Sequence, residues 1–242
     1  MRFQGKKLRH ELKYYLHLHE YIALRQRVST FLNMDEHAVS PEGYGIQSLY
    51  FDGPHNHALF DKNEGIFQRE KYRIRAYNGS DRIINLERKS KFGDYVCKES
   101  VRLTREEYDA ILRGDYAKIA ERSAPLDRKP PLVIDFFHAL QYRAFRPVVI
   151  VDYVREAYVY EFGDVRITFD KMLSAVINSY NLFDPENVKV EALPTSLTIM
   201  EVKFNAFLPE PVRVLIRPDA HVRSTISKYV ICRELDIRHH KL

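Results

Sequence analysis

The sequence predicts an α+β fold in which eight strands close into a barrel with a polar lumen and helices cover the outside. Eight segments have strand-like alternation, and seven of them carry charge on one face and apolar side chains on the other. An open sheet would show the polar faces to bulk water, whereas a barrel encloses them and removes the sheet edges. The eight segments lie at about 8–16, 46–52, 66–77, 82–91, 94–103, 147–155, 164–170 and 197–204.

The segment from Ile66 to Leu103 shows this pattern in three consecutive strands. Their charged faces carry Arg69, Lys71, Arg73 and Arg75 on the first strand, Asn85, Glu87 and Lys89 on the second, and Lys98, Ser100 and Arg102 on the third. Like charges on neighbouring strands repel each other and destabilise a sheet. The pattern therefore favours a polyanion bound among the cations, and for any single strand the alternative is a solvated outer face.

Helical spacing accounts for the segments between the strands. A capping box at Thr104–Glu107 begins one helix, and Gly114 ends it. The last helix is predicted over 223–235 with Ser224 as its N-cap. The other helices are predicted over 19–32, 57–62, 116–122 and 132–145.

Length and composition bound the class of protein. At 242 residues, with 45% hydrophobic residues, the chain is expected to form a single domain over residues 1–242. The net charge of +5 is too small to imply nucleic acid by itself. Cys97 and Cys232 are far apart and match no zinc spacing, so both are expected to be reduced thiols. We see no signal peptide and no apolar run long enough to span a bilayer, and we expect a cytoplasmic protein.

A series of short motifs resembles the VTC domain of polyphosphate polymerases, within the triphosphate tunnel metalloenzyme group. Each motif is weak alone, but they occur in order along nearly the whole chain. They are Glu11-Leu-Lys13, Ser48-Leu-Tyr-Phe-Asp52, Tyr72-Arg-Ile-Arg75, Leu86-Glu-Arg-Lys89, Tyr153-Val-Arg155, Arg166-Ile-Thr-Phe-Asp170, Glu201-Val-Lys203 and Ser227-Lys-Tyr229.

The resemblance implies an eight-stranded antiparallel β-barrel tunnel with flanking helices. It also implies transfer of the γ-phosphate of ATP to a growing polyphosphate chain, with Mn²⁺ or Mg²⁺ as cofactor. Many domains of this family are fused to membrane segments. The resemblance therefore further suggests a separate membrane-protein partner for a chain in which no such segment is seen. Nucleic acid is not an expected partner, because aromatic stacking platforms do not interleave with the basic faces.

The resemblance assigns roles to particular residues. Arg73 and Arg75 would grip terminal phosphates, since a guanidinium donates two parallel hydrogen bonds. The ring of cations would be completed by Lys13, Lys89, Arg155, Arg166 and Lys203, with Lys62, Lys98 and Arg102 as further binding residues. Ser227 and Lys228 would bind phosphate at the tunnel mouth. Glu201 is the best candidate metal ligand. Glu11 and Glu87 are weaker candidates, because each is equally expected to pair with its neighbouring lysine instead, Glu11 with Lys13 and Glu87 with Lys89.

One departure bears on the reaction. Hydrolytic members of the tunnel group usually begin with Glu-x-Glu-x-Lys, and here Arg9 replaces the first glutamate. The lower number of carboxylates favours the polymerase. A metal-dependent hydrolase of tripolyphosphate or polyphosphate is the second hypothesis. A binding module that senses polyphosphate or inositol phosphates without turnover is the third.

Overall fold

Eight long strands form a closed antiparallel ring in the computed structural model. The structure describes residues 2–3, 6–7, 9–36, 38, 40–93, 95–120, 131–217 and 223–240. The long strands are β3 (Arg9–His17), β5 (Tyr44–Asp52), β6 (Gln68–Tyr77), β7 (Ser80–Phe92), β8 (Tyr95–Leu103), β9 (Arg146–Tyr160), β10 (Val165–Val176) and β12 (Leu197–Phe204). The ring runs in the order β10-β12-β3-β8-β7-β6-β5-β9, and a pairing between β9 and β10 closes it.

All eight predicted strands are confirmed, but β9 and β10 are longer than predicted. The shift of register between Lys171 and Ser174 lets β10 continue past the point where the alternation breaks, and Met172 adopts a positive φ of 55° there. The short strands β1 (Arg2–Phe3), β2 (Lys6–Lys7), β4 (Asn33–Met34) and β11 (Lys189–Glu191) were not predicted.

Helices cover the apolar outer faces of the ring, as predicted. Tyr108 and Phe136 pack over Tyr72 and Ile74 in one outer core, whereas Leu24 packs with the core behind β3, β10 and β12. The helices are α1 (Leu18–Phe31), α2 (His57–Asn63), α3 (Arg105–Arg113), α4 (Ala117–Ala120), α5 (Pro131–Gln141), α6 (Glu210–Ile216) and α7 (Lys228–His239). The capping box of α3 and its end at Gly114 are confirmed, whereas α6 was not predicted. None of the described helices is long and apolar enough to cross a membrane.

The last helix begins later than predicted and packs inside the ring. Ser227, not Ser224, caps α7, because the preceding segment pairs with β3 instead. Ser224 N donates to the Lys13 carbonyl at 3.0 Å, and Arg223 forms a bridge with Tyr14. This segment takes the edge of β3 that β8 leaves, since β3 and β8 pair through only two residues each. Tyr229 and Cys232 of α7 then form a third core with inward-facing residues of the strands.

Candidate functional site in the barrel lumen

The lumen holds a cavity of about 1240 Å³ with a strongly cationic lining. Among the described lining residues, the carboxylates are Glu11 and Glu201, and the cations far outnumber them. The predicted site residues that line the cavity are Glu11, Lys13, Arg73, Arg75, Lys89, Lys98, Arg155, Arg166, Glu201, Lys203, Ser227 and Lys228. Strand alternation brings the strand residues together, because each strand turns its polar face inward, whereas Ser227 and Lys228 come from the start of α7.

Three predicted site residues lie elsewhere. Glu87 is fully buried and is directly opposite Arg73 on the neighbouring strand. Arg102 is exposed and is directly opposite Asn85. Lys62 lies in α2, and its side chain is outside the described part of the structure.

Three lysines stand side by side across neighbouring strands. Lys71 of β6 is directly opposite Lys89 of β7, and Lys89 is directly opposite Lys98 of β8. Directly opposed like charges destabilise a sheet, so this row is held in place by groups around it. Lys89 contacts Glu11 at 2.7 Å, Lys98 contacts Glu87 at 3.0 Å, and Lys71 contacts the Ser227 hydroxyl at 3.3 Å. Sequence reasoning placed Lys71 on the correct face but did not include it among the site residues.

Glu87 anchors two arginines of β6 that face the lumen. Its carboxylate accepts from Arg73 Nε at 2.8 Å and lies 3.8 Å from Arg75 Nη1. Lys98 donates to the other oxygen. The predicted partner of Glu87 was Lys89, but Lys89 reaches Glu11 of β3 instead, on the far side of the intervening strand β8. With both carboxylate oxygens engaged, Glu87 acts as a support for the guanidinium groups.

Glu201 is the centre of a buried ion cluster. Its carboxylate lies 2.5 Å from Lys228 Nζ, 3.1 Å from Lys203 Nζ, 3.4 Å from Lys13 Nζ and 3.5 Å from Arg155 Nη2. Burial opposes its ionisation, but these cations hold the pKa of Glu201 well below its ordinary value. Glu201 is therefore ionised at neutral pH, and four basic side chains gather around it at one point of the lumen.

Asp170 joins this cluster from β10. Arg155 donates to it through Nε at 2.6 Å and Nη2 at 2.7 Å, and Lys228 Nζ lies 2.6 Å from it. Lys228 is only 8% exposed, so it lies deep in the lumen and not at a solvated mouth. Asp170 ends the motif Arg166-Ile-Thr-Phe-Asp170, but it was not among the predicted site residues.

Burial and mutual repulsion lower the pKa of two of the lysines in the row. Burial, reinforced by Lys13 and Lys203, lowers the pKa of Lys89 to about 7, although Glu11 opposes the shift. Burial together with Lys89 and Arg69 holds the pKa of Lys71 well below its ordinary value. A bound polyanion would favour the protonated form of both groups, so binding is expected to take up protons.

Tripolyphosphate affinity is expected to fall as pH rises above about 7, by up to about tenfold per pH unit for each proton taken up. The anion raises the pKa of Lys89 above its free value of about 7. The contribution of this lysine to binding is therefore complete below that pH and is lost as pH rises through the pKa of the complex. Titration calorimetry between about pH 6 and about pH 9, at constant ionic strength with a chelator present, measures the effect.

Lys89→Arg is the matched variant, because arginine keeps its charge over this range. The titration of tripolyphosphate itself is common to both proteins, so the difference in slope reports Lys89. Equal slopes in the two proteins would contradict a lowered pKa at Lys89.

Two carboxylates in the lumen fit a divalent metal bound together with phosphate. Mg²⁺ and similar ions are commonly held by one or two carboxylates plus phosphate oxygens. Glu11 Oε1 is buried and has no hydrogen-bond partner, and Lys203 lies 3.7 Å from it and 3.1 Å from Glu201 Oε2. Glu11 and Glu201 therefore lie close to one another on neighbouring strands. The described residues contain no cluster of three or more His, Cys, Asp or Glu side chains suited to a metal.

Both cysteines are free thiols and lie away from this chemistry. Cys97 and Cys232 are buried, and Cys232 packs in the core under α7. Burial raises the pKa of the Cys232 thiol, which makes it a poor nucleophile.

Solved structures with the same ring of strands include proteins of very different origin. A Hippeastrum protein, proposed to be an adenylyl cyclase and described as having a dominant triphosphatase activity, matches with a TM-score of 0.56 and 15% identity over 94% of this chain and 95% of that chain. A protein from Bacillus halodurans, proposed to be an adenylate cyclase, matches with a TM-score of 0.50 and 13% identity over 93% of this chain and 96% of its own. At such identities the likeness shows the fold alone.

Comparison with curated proteins gives no significant match. The family model described as the VTC domain matches residues 8–235, which include every strand of the ring. The eight-stranded ring and its cationic lumen agree with the fold that the sequence motifs implied. The chain belongs to the VTC domain family.

Proposed function

We propose that the chain is a single tunnel domain that transfers the γ-phosphate of ATP to a growing polyphosphate chain. The observation that carries the proposal is the unbalanced charge of the lumen. The row of Lys71, Lys89 and Lys98 and the arginines beside it form a cationic surface inside the ring that suits an anion with one charge per phosphate. Membership of the VTC domain family supports polyphosphate as that anion.

In the proposed reaction, a terminal phosphate oxygen of the chain attacks the γ-phosphorus of ATP. The bond between that phosphorus and the β–γ bridging oxygen breaks, and ADP leaves with the electron pair. Such a transfer depends on positioning and on stabilising charge at the equatorial oxygens. Arg73 and Arg75, held by Glu87, are suited to the equatorial oxygens, and Lys89 and Lys203 are suited to the attacking chain.

Glu11 and Glu201 would hold the divalent metal, which supplies charge neutralisation between nucleotide phosphates when it is bound. The residues around them do the rest of the positioning. Lys203 contacts both carboxylates, and Lys228 and Arg155 fix the orientation of Glu201. Mn²⁺ and Mg²⁺ are the ions that the resemblance to this family implies.

Hydrolysis in the same lumen is the second candidate, with water in place of the chain as the attacking group. Arg9 favours the polymerase over this candidate. It lines the cavity where hydrolytic relatives carry a first glutamate, and it pairs with Asp164 at 3.2 Å. The lumen thus has a cation at the position where hydrolytic relatives carry a further carboxylate.

Incubation of the purified protein with ATP and Mn²⁺ tests the proposal. We expect long polyphosphate on a gel and one ADP for each phosphate added to the chain. Release of orthophosphate from ATP or tripolyphosphate without chain growth would replace the polymerase by the hydrolase. Tight binding of tripolyphosphate with no product under either metal would leave only a binding module.

A further inference from the structure

One end of the cationic cavity has an apolar and aromatic wall. Tyr44, Ile46, Tyr77 and Ile83 all line the cavity there. Ile46 is directly opposite Tyr77, and the rings of Tyr44 and Tyr77 are 6.2 Å apart. Ile83 is 42% exposed although it is a large apolar residue, and Tyr77 is partly exposed, whereas Tyr44 and Ile46 are buried. Unlike the arginines and lysines of the lumen, these side chains carry no charge for a phosphate, and none of them has a part in the transfer step.

The wall is held rigidly by the turn between β6 and β7. Asn78 N donates to the Gly45 carbonyl at 3.0 Å, and Asn78 Oδ1 accepts from Gly45 N at 2.8 Å. This pair of hydrogen bonds ties the turn to the start of β5. Tyr77, which directly precedes Asn78, is thereby held beside Tyr44. A rigid surface of this kind loses little freedom when it binds a flat ring.

The wall adjoins the arginines that are suited to phosphate. Tyr77 follows Arg75 by two residues on the same face of β6, about 7 Å along the strand. Ile83 stands two residues from Asn85, which is directly opposite Arg75. Tyr44 OH accepts from Arg166 Nη2 at 3.0 Å, so a further guanidinium lies at the same end. An anion gripped by these arginines would carry any group attached to its end onto the wall.

We propose that Tyr77 and Ile83, backed by Tyr44, bind the base of a nucleoside triphosphate whose phosphates lie among the arginines. This inference rests on the proposed function, in which a nucleotide is the phosphate donor. Inorganic polyphosphate has no apolar part and gains nothing from such a wall. A nucleobase has an aromatic face, and this face stacks on a tyrosine ring whichever hydrogen-bond donors and acceptors the base carries. The wall therefore distinguishes the nucleotide donor from the inorganic chain.

Binding of ATP and of inorganic tripolyphosphate to Tyr77→Ala and to Ile83→Ala tests the inference. Loss of one stacking ring weakens nucleotide binding by roughly 5- to 150-fold, and we expect about tenfold for Tyr77→Ala. Tripolyphosphate affinity is expected to stay within about twofold of wild type, which also reports that the variant is folded. Tyr77→Phe keeps the ring and should bind ATP as wild type does. Ile83→Ala is the milder variant, because the side chain is already partly exposed.

The outcomes separate this inference from the proposed function. If ATP and tripolyphosphate weaken equally in both variants, or if ATP does not weaken at all, the base site is overturned. Chain growth by a Tyr77→Ala variant with wild-type ATP affinity would leave the polymerase standing without this site. Selective loss of ATP binding in a protein that releases only orthophosphate would support the site and overturn the polymerase.

Discussion

Replacing Arg73 and Arg75 together by alanine is expected to slow phosphate transfer from ATP by at least about 10³-fold, the scale of an arginine that stabilises a phosphoryl-transfer transition state. Both guanidinium groups line the cavity and both are positioned by Glu87. The double change removes the donors and leaves Glu87 with Lys98 as its remaining close cation among the described residues. Production of ADP from ATP and Mn²⁺ under single-turnover conditions measures the effect.

Arg82→Ala with Arg113→Ala is the matched control for this experiment. Both arginines are exposed and neither lines the cavity, so the control removes the same charge from the outer surface. Its activity should remain within about twofold of wild type. Arg73→Lys with Arg75→Lys keeps a charge beside Glu87 and should still lose most of the rate, because a lysine cannot donate two parallel hydrogen bonds. Comparable activity in the alanine and control variants would show that transfer takes place outside the lumen.

Glu201→Gln is expected to change three properties in different directions. It removes the negative centre shared by Lys13, Lys203, Lys228 and Arg155, so the free energy of unfolding should fall by about 3 to 5 kcal/mol. The pKa of Glu201 is lowered in the folded state. Its stabilising contribution is therefore present above the unfolded pKa and is lost as pH falls, and the variant should lack that part of the acid sensitivity.

The same change should strengthen binding of tripolyphosphate when a chelator removes divalent metal, because one negative charge has left the cationic lumen. Tripolyphosphate should also restore much of the lost stability, since it binds only the folded state. Activity with Mn²⁺ should be lost. Urea unfolding, titration calorimetry and ADP production measure these three effects.

Glu156→Gln is the control for Glu201→Gln. Glu156 is equally buried, but it lies outside the lumen, where Tyr21 donates to it at 2.5 Å and Arg25 at 2.6 Å. The Glu156→Gln variant should lose a similar amount of stability. Its tripolyphosphate affinity should not rise, and tripolyphosphate should stabilise it no more than it stabilises the wild type. If Glu201→Gln binds tripolyphosphate more weakly than wild type in the absence of metal, the negative charge of Glu201 does not oppose anion binding, and the prediction is wrong.

The strands and their faces could be predicted from the sequence because alternation is a local property. Each inward residue from Arg69 to Arg75 was assigned to the correct side from its parity alone. The partners of those residues could not be predicted in this way. Lys89 reaches Glu11 past β8, which pairs with β3 through only two residues. Glu87 supports Arg73 because the register of β6 and β7 places them directly opposite each other, and parity alone does not give register.

The position of the last helix is a second limit of local reasoning. Ser224 has the residue type and the spacing of an N-cap, but its backbone donates to Lys13 on a distant strand. The helix therefore begins at Lys228 and carries that lysine into the ion cluster. The helix therefore starts about one turn later than predicted, because a contact between residues far apart in the sequence holds Ser224.

The short pairing between β3 and β8, of two residues on each strand, has a consequence for the order in which the chain folds. β3 lies near the beginning of the sequence, but its long partner is β12, and the segment that takes its other edge follows β12. The strands from β5 to β8 pair with their immediate neighbours in sequence and can form as soon as they are synthesised. During synthesis on the ribosome, the tunnel thus exists first as an open sheet, and its enclosed lumen is completed only when the last strand and the last helix have emerged.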